Sequence, residues 1–291
     1  MTDDARAGPP LSAPAELVRR LDPDLFHAAI FAPEPARERL MVLAAFDIEL
    51  SRATARASGP AEKSMLAAMR LQFWRDRVAA ALEGGAPAAH EVAEPLHALL
   101  TGPLEPVALD ALRLVGARDL ELQTPLDEAR FRAWVEMRFV SAHRLCLAAL
   151  GLSERPGAVE AAASAGTAAA HAFAIRHSVA LAAEGRSMVP GVAGPALTRL
   201  ARGDVTPDAA ETIKRLSREG LEALDRLRQA RPALGRAAAP AFLPLWRAER
   251  DLRDAAGGLP GGGRPMPAQP GQTGQGARAV AYLWRAVTGR W

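Results

Sequence analysis

Apolar residues recur every three or four positions along most of this chain, which is the spacing of amphipathic α-helices. Prolines and glycines interrupt the pattern at intervals, for example at Pro33, Pro35 and Gly151. The connections between periodic stretches are short, so neighbouring helices are expected to pack antiparallel. The pattern predicts helices at about residues 14–32, 36–57, 62–83, 90–101, 107–123, 126–151, 157–184, 206–230 and 236–256.

The composition also favours helices over strands. Aromatic residues make up only 5% of the 291 residues, and alanine and leucine dominate the hydrophobic 49%. Such a chain offers a sheet few of the β-branched and aromatic residues that strands prefer. We therefore expect an all-α fold with no sheet, formed by one domain over residues 1–256.

The composition changes after this domain. Residues 257–276 are mostly Gly, Pro and Gln, which predicts a flexible linker. Beyond it, residues 277–291 can form an amphipathic helix that carries Tyr282, Trp284 and Trp291. These three side chains suit contact with a membrane or a partner protein. The segment equally suits docking on the chain's own core, and the sequence leaves this choice open.

The charges exclude one class of partner. The formal net charge is only +3, and arginines are interspersed with acids at helical spacing. Nucleic-acid binding surfaces instead cluster basic residues with aromatic ones. The charges therefore indicate solvated helix faces, and we expect no nucleic-acid partner.

Cysteine usage and hydropathy predict the location. Cys146 is the single cysteine, which is typical of a reducing, intracellular compartment. The acidic and then proline-rich start is unlike a secretory or transit signal. No apolar run reaches the ~18 residues of a membrane span. We expect a cytoplasmic protein that is soluble or peripheral on the inner membrane.

Histidines and carboxylates give no metal site by spacing. His171 and His177 differ by about 240° around a helix axis, so they cannot share a zinc ion. Carboxylates at helical spacing, such as Asp251 and Asp254, lie among arginines. This setting predicts a surface role for them rather than magnesium binding. No glycine-rich phosphate loop is present.

Short motifs follow one another in a characteristic order over about residues 14–256. They are Leu25-Phe26, Phe31-Ala32-Pro33, Ala45-Phe46, the helix from Arg70 to Arg75, Ala117-Arg118-Asp119-Leu120, and Gly185-Arg186 with Pro190. Together they resemble the squalene and phytoene synthase family. The resemblance implies an isoprenoid-synthase-type bundle of antiparallel helices around a central cavity.

The resemblance also locates the catalytic motifs. Active family members hold Mg²⁺ ions on two aspartate-rich motifs, and these ions clamp the diphosphates of two prenyl substrates. Matched to this chain, the first motif falls on Ser51, Arg52 and Ala55, and the second on His177 and Leu181. None of these side chains is a ligand for a hard cation. We therefore expect degenerate metal motifs, with no catalytic residue, no metal and no cofactor.

A closer resemblance concerns residues 45–50 and the run from Glu62 through Arg75. These stretches are similar to the non-catalytic branch that includes the mitochondrial complex I assembly factor. This implies a silent protein that assists assembly of a membrane respiratory complex, with a subunit or assembly intermediate as its partner and a lipid or isoprenoid as its ligand. One alternative is an active, Mg²⁺-dependent, head-to-head prenyltransferase. Another is a soluble isoprenoid carrier.

Candidate ligand-binding residues follow from the same comparison. Arg176 and Arg186 are best suited to hold an anionic head group, and they could equally be ion-paired with Asp47 and Glu49.

Three further candidates, Arg70, Phe73 and Trp74, lie on one helix near the expected cavity wall. The alanine-rich run 161–170 has small side chains that either allow close helix packing or leave room for a lipid, and packing is favoured.

Overall fold

The structure is a computed structural model that describes residues 10–54, 61–257, 282–285, 288 and 291, without the side chains of residues 61–64. Throughout these residues the chain is helical or irregular and contains no strand. The expected all-α fold is therefore confirmed. The predicted linker 257–276 lies outside the described residues apart from Gly257.

Fourteen α-helices are defined in the described chain. In order they are α1 (Ala13–Leu21), α2 (Pro23–Ala29), α3 (Ala36–Thr54), α4 (Ala61–Leu82), α5 (Ala93–Leu100), α6 (Leu109–Leu122), α7 (Glu128–Trp134), α8 (Ser141–Ala149), α9 (Ala158–Arg176), α10 (Ser178–Ala183), α11 (Gly194–Ala201), α12 (Pro207–Leu234), α13 (Ala239–Phe242) and α14 (Leu245–Ala256). Short 3₁₀ turns at Glu105–Val107 and Arg236–Ala238, and a π-helical segment at Val135–Val140, complete the list.

Several predicted helices are divided in the structure. The one expected at 14–32 ends at Leu21, because Asp22 accepts a hydrogen bond from the Leu25 backbone nitrogen at 3.0 Å and Pro23 opens a new helix. The helix expected at 157–184 breaks at His177, between α9 and α10. Helix α11 was not predicted at all.

Two adjoining apolar cores hold the helices together. One is built by α1, α3, α4, α5, α6 and α8, with Phe46 and Leu71 fully buried. The other surrounds the alanine-rich α9, which packs against α12, α14 and the π-helical segment. Residues of both cores line the space between them.

The π-helical segment joins α7 to α8 without interrupting the hydrogen-bonded helix. A π turn adds one residue to the helical repeat, which rotates the side chains that follow it. Helix α9 approaches this segment closely because residue 166 is glycine. A Cβ atom placed on Gly166 would lie 2.6 Å from the Val140 backbone nitrogen and 2.7 Å from its Cα atom. The small residues of α9 therefore serve close packing at this crossing.

Candidate functional site

A cavity of about 450 Å³ lies between the two cores. Its walls come from α2, α3, α6, α8, α9, α13, α14 and the π-helical segment, and its apolar lining includes Leu25, Leu43, Leu114, Phe139 and Phe173. The volume falls within the ~300–1,000 Å³ that small-molecule sites occupy. The cavity is thus large enough for a ligand with an apolar chain.

Arg118 of α6 joins two helices beside this cavity. Its guanidinium is buried, and Nη2 donates to Oδ1 of Asp47 at 2.6 Å and to Oγ of Ser51 at 3.0 Å. Nη1 donates to both carboxylate oxygens of Glu121, at 3.0 and 3.2 Å. Burial works to lower the pKa of Arg118, but Glu121 and Asp47 outweigh it and raise this pKa. Arg118 is therefore a fixed cation that links α3 to α6.

Glu121 is the central acceptor of this network. Its carboxylate is buried and also accepts hydrogen bonds from Trp134 Nε1 at 3.0 Å and from Arg138 Nη1. Burial works to raise the pKa of Glu121, but Arg118 and Arg138 overcome it and lower the pKa to about 2. Glu121 is consequently ionised at every pH near neutrality.

Arg138 reaches both this network and the cavity because it lies on the π-helical segment. Its guanidinium carbon lies 4.4 Å from the ring centre of Phe173 and 5.0 Å from that of Phe139. Stacking against aromatic faces stabilises a cation and fixes its orientation. Arg138 is thus held by Glu121 on one side and by two rings on the other.

Two more ion pairs line the cavity. Arg176 Nη1 of α9 lies 3.7 Å from Oδ2 of Asp251 in α14, and Arg247 of α14 pairs with Asp24 of α2. Asp22, the cap of α2, lines the same cavity, and its burial raises its pKa.

His177 lies among these charges at the break between α9 and α10. Its ring centre is 4.4 Å from that of Phe173. Burial, followed by the positive charges of Arg176, Arg138 and Arg247, lowers the pKa of His177 to about 4. The imidazole is therefore neutral at pH 7, as is that of His143, whose pKa burial also lowers.

A sequence profile described as Squalene/phytoene synthase matches residues 18–256. The chain belongs to the squalene/phytoene synthase family. The squalene synthase HpnC from Alicyclobacillus acidocaldarius has the same fold, with a TM-score of 0.68 at 17% sequence identity over 83% of this chain and 90% of HpnC. A dehydrosqualene synthase solved with a ligand gives a TM-score of 0.64 at 14% identity, over 84% of this chain and 94% of that one. No curated protein has a significant sequence match.

The family implies Mg²⁺, but the donors in this cavity do not fit it. Asp47, Asp24 and Asp251 each have one carboxylate oxygen facing an arginine. Asp22, the fourth aspartate of the lining, caps α2 by accepting a hydrogen bond from the Leu25 backbone nitrogen. In the part of the chain that the structure describes, no three His, Cys, Asp or Glu side chains converge as a metal site. Magnesium requires several oxygen ligands in near-octahedral array, and paired carboxylates do not supply them.

The positions to which the sequence resemblance assigned the two motifs make other contacts. Ser51 accepts from Arg118 and donates to the Asp47 carbonyl at 2.9 Å, while Arg52 points outward and pairs with Glu49 at 2.6 Å. Leu181 packs against the core around α9. Ala55 lies outside the described residues.

The structure does not bear out the alternative in which Arg176 and Arg186 are ion-paired with Asp47 and Glu49. Neither pairs with Asp47 or Glu49, which bind Arg118 and Arg52.

Arg176 pairs with Asp251 in the cavity wall, as described above. Arg186 instead lies 3.4 Å from Glu184 and donates to the Glu121 carbonyl at 3.3 Å, and it is not part of the cavity lining.

Arg70, Phe73 and Trp74 are not near the central cavity, contrary to expectation. They line a separate groove of about 510 Å³ with Glu49, Arg52, Ala53 and His90. Trp74 is buried against Phe46, with ring centres 5.3 Å apart. This contact holds the Trp74 ring in the first of the two cores and away from the central cavity. The α3 residues that line this groove are Glu49, Arg52 and Ala53, whereas Asp47 of the same helix lines the central cavity. Of the five ligand-binding candidates, Arg176 alone lines the central cavity.

The C-terminal residues divide into buried and exposed ones. Tyr282 is fully buried, lines the cavity and stacks on His27, so it takes the alternative of docking on the core rather than contact with a membrane or partner. Trp291 takes the same alternative: it is buried, and its ring centre lies 4.6 Å from that of Phe242. Trp284 is 64% exposed and still suits an outward contact. The two buried rings show that these residues dock on the chain's own core.

Sequence reasoning missed most of the polar cavity. Asp251 was predicted to lie on the surface, and Arg138 and Arg247 were not considered. A signal existed in α14, where Leu245 and Leu252 mark the buried face and Asp251 precedes the second of them. Arg138 lies on a π-helical segment, and a prediction based on the regular α-helical repeat does not anticipate the rotation of side chains that such a segment causes.

Proposed function

We propose that this chain is a catalytically silent member of the squalene/phytoene synthase family. It holds an apolar ligand in its central cavity and serves as an assembly or interaction factor for a membrane respiratory complex. The observation that carries this proposal is the position of Arg118. Its guanidinium binds Asp47 and Ser51, at the place where the first aspartate-rich motif of active members falls.

The physical argument concerns the leaving group. Removing a pyrophosphate from a prenyl chain needs cations that can bind the departing oxygens and stabilise their negative charge. Such preorganised electrostatic stabilisation is the main catalytic contribution in steps of this kind. Here the cations are arginines whose charges are already engaged by Glu121, Asp47, Asp24 and Asp251. The retained cavity supports binding, whereas its donors do not support this chemistry.

A direct assay tests the silent part of the proposal. The purified chain is incubated with labelled farnesyl or geranylgeranyl diphosphate and Mg²⁺, beside an active dehydrosqualene synthase as a positive control. We expect neither pyrophosphate release nor a C30 or C40 product from this chain. Steady release of pyrophosphate with such a product would refute catalytic silence.

The respiratory role is tested in cells. Deleting the gene should lower the NADH:quinone activity of isolated membranes, and restoring the full chain should recover it. Unchanged activity in the deletion strain, together with a lipid that copurifies with the protein, would favour the isoprenoid carrier instead. Among the described residues no helix is both long and apolar enough to cross a bilayer. The exposed Trp284 side chain is one place where the complex could make contact.

A second candidate is a Mg²⁺-dependent head-to-head prenyltransferase. One observation favours it: four aspartates, Asp22, Asp24, Asp47 and Asp251, line the cavity, where the sequence predicted no metal-binding side chain. The turnover assay above decides between the two candidates.

A further inference from the structure

The charges that line the central cavity are balanced against one another. Three arginines and four aspartates face it, and the buried Arg118 and Glu121 behind them cancel each other. The site therefore has one more carboxylate than cations. An anion that enters without an accompanying metal ion gains no net electrostatic attraction from these walls.

Each cavity arginine already faces a carboxylate, so an entering anion would compete with that carboxylate for the guanidinium. Arg138 is held by Glu121 and stacked on Phe173, Arg176 faces Asp251, and Arg247 faces Asp24. Releasing such a pair leaves a carboxylate buried without its cation, which is strongly unfavourable. A multiply charged head group would need several of these releases at once.

The remaining polar groups of the cavity are uncharged. His177 and His143 are neutral at pH 7, and burial raises the pKa of the Cys146 thiol to about 12. The Phe139 carbonyl, 2.8 Å from Nδ1 of His143, can only accept, so Nδ1 carries the proton and Nε2 is an acceptor. Burial likewise raises the pKa of Tyr282, which keeps its phenol protonated. Such groups suit a hydroxyl or carbonyl on a ligand.

We infer that the central cavity takes an uncharged molecule with a long apolar chain and at most a hydrogen-bonding head group, and discriminates against the diphosphate of the same chain. This inference rests on the proposed function and names the ligand class of the same site. The apolar walls favour the hydrocarbon chain of the ligand, and the paired charges favour an uncharged head group.

Equilibrium binding of two probes tests the inference. The full-length, delipidated protein is titrated with geranylgeraniol and with geranylgeranyl diphosphate, both in EDTA, so that chain length is constant and only the head group changes. We expect the alcohol to bind about 100-fold more tightly than the diphosphate. Equal or tighter binding of the diphosphate would overturn the inference, and so would failure of the alcohol to bind.

A gain-of-binding variant sharpens this test. Asp251→Asn removes the carboxylate that faces Arg176 and makes the number of cavity cations and anions equal. It should lower the ratio of the diphosphate dissociation constant to the alcohol dissociation constant about tenfold. Asp254→Asn is the matched control, because Asp254 lies on the same helix, is exposed and pairs only distantly with Arg250 at 3.8 Å. An identical ratio in the two variants would count against the role of paired charges.

The two proposals fail in different ways. Catalytic silence fails if Mg²⁺ produces steady pyrophosphate release. The inferred ligand class fails on the affinity ratio of the two probes in EDTA, where no metal-dependent turnover takes place. A protein that is silent yet binds the diphosphate tightly would therefore refute the second claim alone.

Discussion

Replacing Glu121 by glutamine should strongly destabilise the fold at neutral pH. The carboxylate accepts hydrogen bonds from Arg118, Arg138 and Trp134 within a buried network. An amide in its place leaves two buried guanidiniums with Asp47 as their nearby anion. Breaking a buried pair by removing one partner costs about 3–5 kcal/mol.

The pKa gives an independent magnitude for the same residue. The pKa of Glu121 in the folded chain is about 2, against an ordinary value of 4.5. A depressed carboxyl pKa stabilises the fold above the unfolded value, and this stability is lost as pH falls toward the folded value. The difference corresponds to about 3 kcal/mol at pH 7, of which about 2 kcal/mol is lost by pH 3. Glu121→Gln lacks this titration.

Urea unfolding followed by far-ultraviolet circular dichroism measures both effects. Glu121→Gln should lose about 3–4 kcal/mol relative to the parent at pH 7, and this difference should shrink by about 2 kcal/mol at pH 3. Glu219→Gln is the control, since Glu219 forms a half-exposed pair with Arg215 and should change stability by less than ~0.5 kcal/mol. A loss under ~1 kcal/mol at pH 7, or a loss that does not depend on pH, would refute the reasoning.

Three further outcomes are expected. Gly166→Ala should cost about 2–3 kcal/mol in urea unfolding, because its Cβ meets the backbone of Val140, whereas Gly116→Ala should cost clearly less because its Cβ meets only the flexible end of Met137. Equal losses would contradict this account. Cys146 should stay unmodified by iodoacetamide at pH 8 in the folded protein and react once unfolded, because its pKa is raised to about 12; rapid labelling of the folded protein would show that the thiol is not held protonated. Millimolar Mg²⁺ should leave the melting temperature within about 1 °C, and a rise of several degrees would reveal a metal site in the native chain.

The fold was predictable because its signal is periodic and repeated. Helical spacing fixed the long elements such as α3, α4 and α12, and short motifs indicated the family that residues 18–256 match. The breaks were harder to foresee. Asp22 and Pro23 together end one helix and begin another, and this depends on a capping hydrogen bond that competes with continued helix.

The candidate site was predictable only in part. Motif matching directed attention to positions 51 and 177, and in the structure Ser51 binds Arg118 and His177 lines the cavity. It could not reveal which arginine meets which acid, because such pairs join residues far apart in the chain, as with Arg247 and Asp24. Arg118 was visible as part of a motif, but its role depends on three-dimensional contacts with α3.

On the proposed function, engineering metal-dependent turnover into this scaffold would take more than introducing aspartates. At position 51 a new carboxylate would meet the Arg118 guanidinium, which lies 3.0 Å from the present serine oxygen, and would form an ion pair with it. Removing that guanidinium would deprive Glu121 of one of its two cationic partners and weaken the joint between α3 and α6. A designer would therefore have to rebuild the helix contact and the ligand set in the same step.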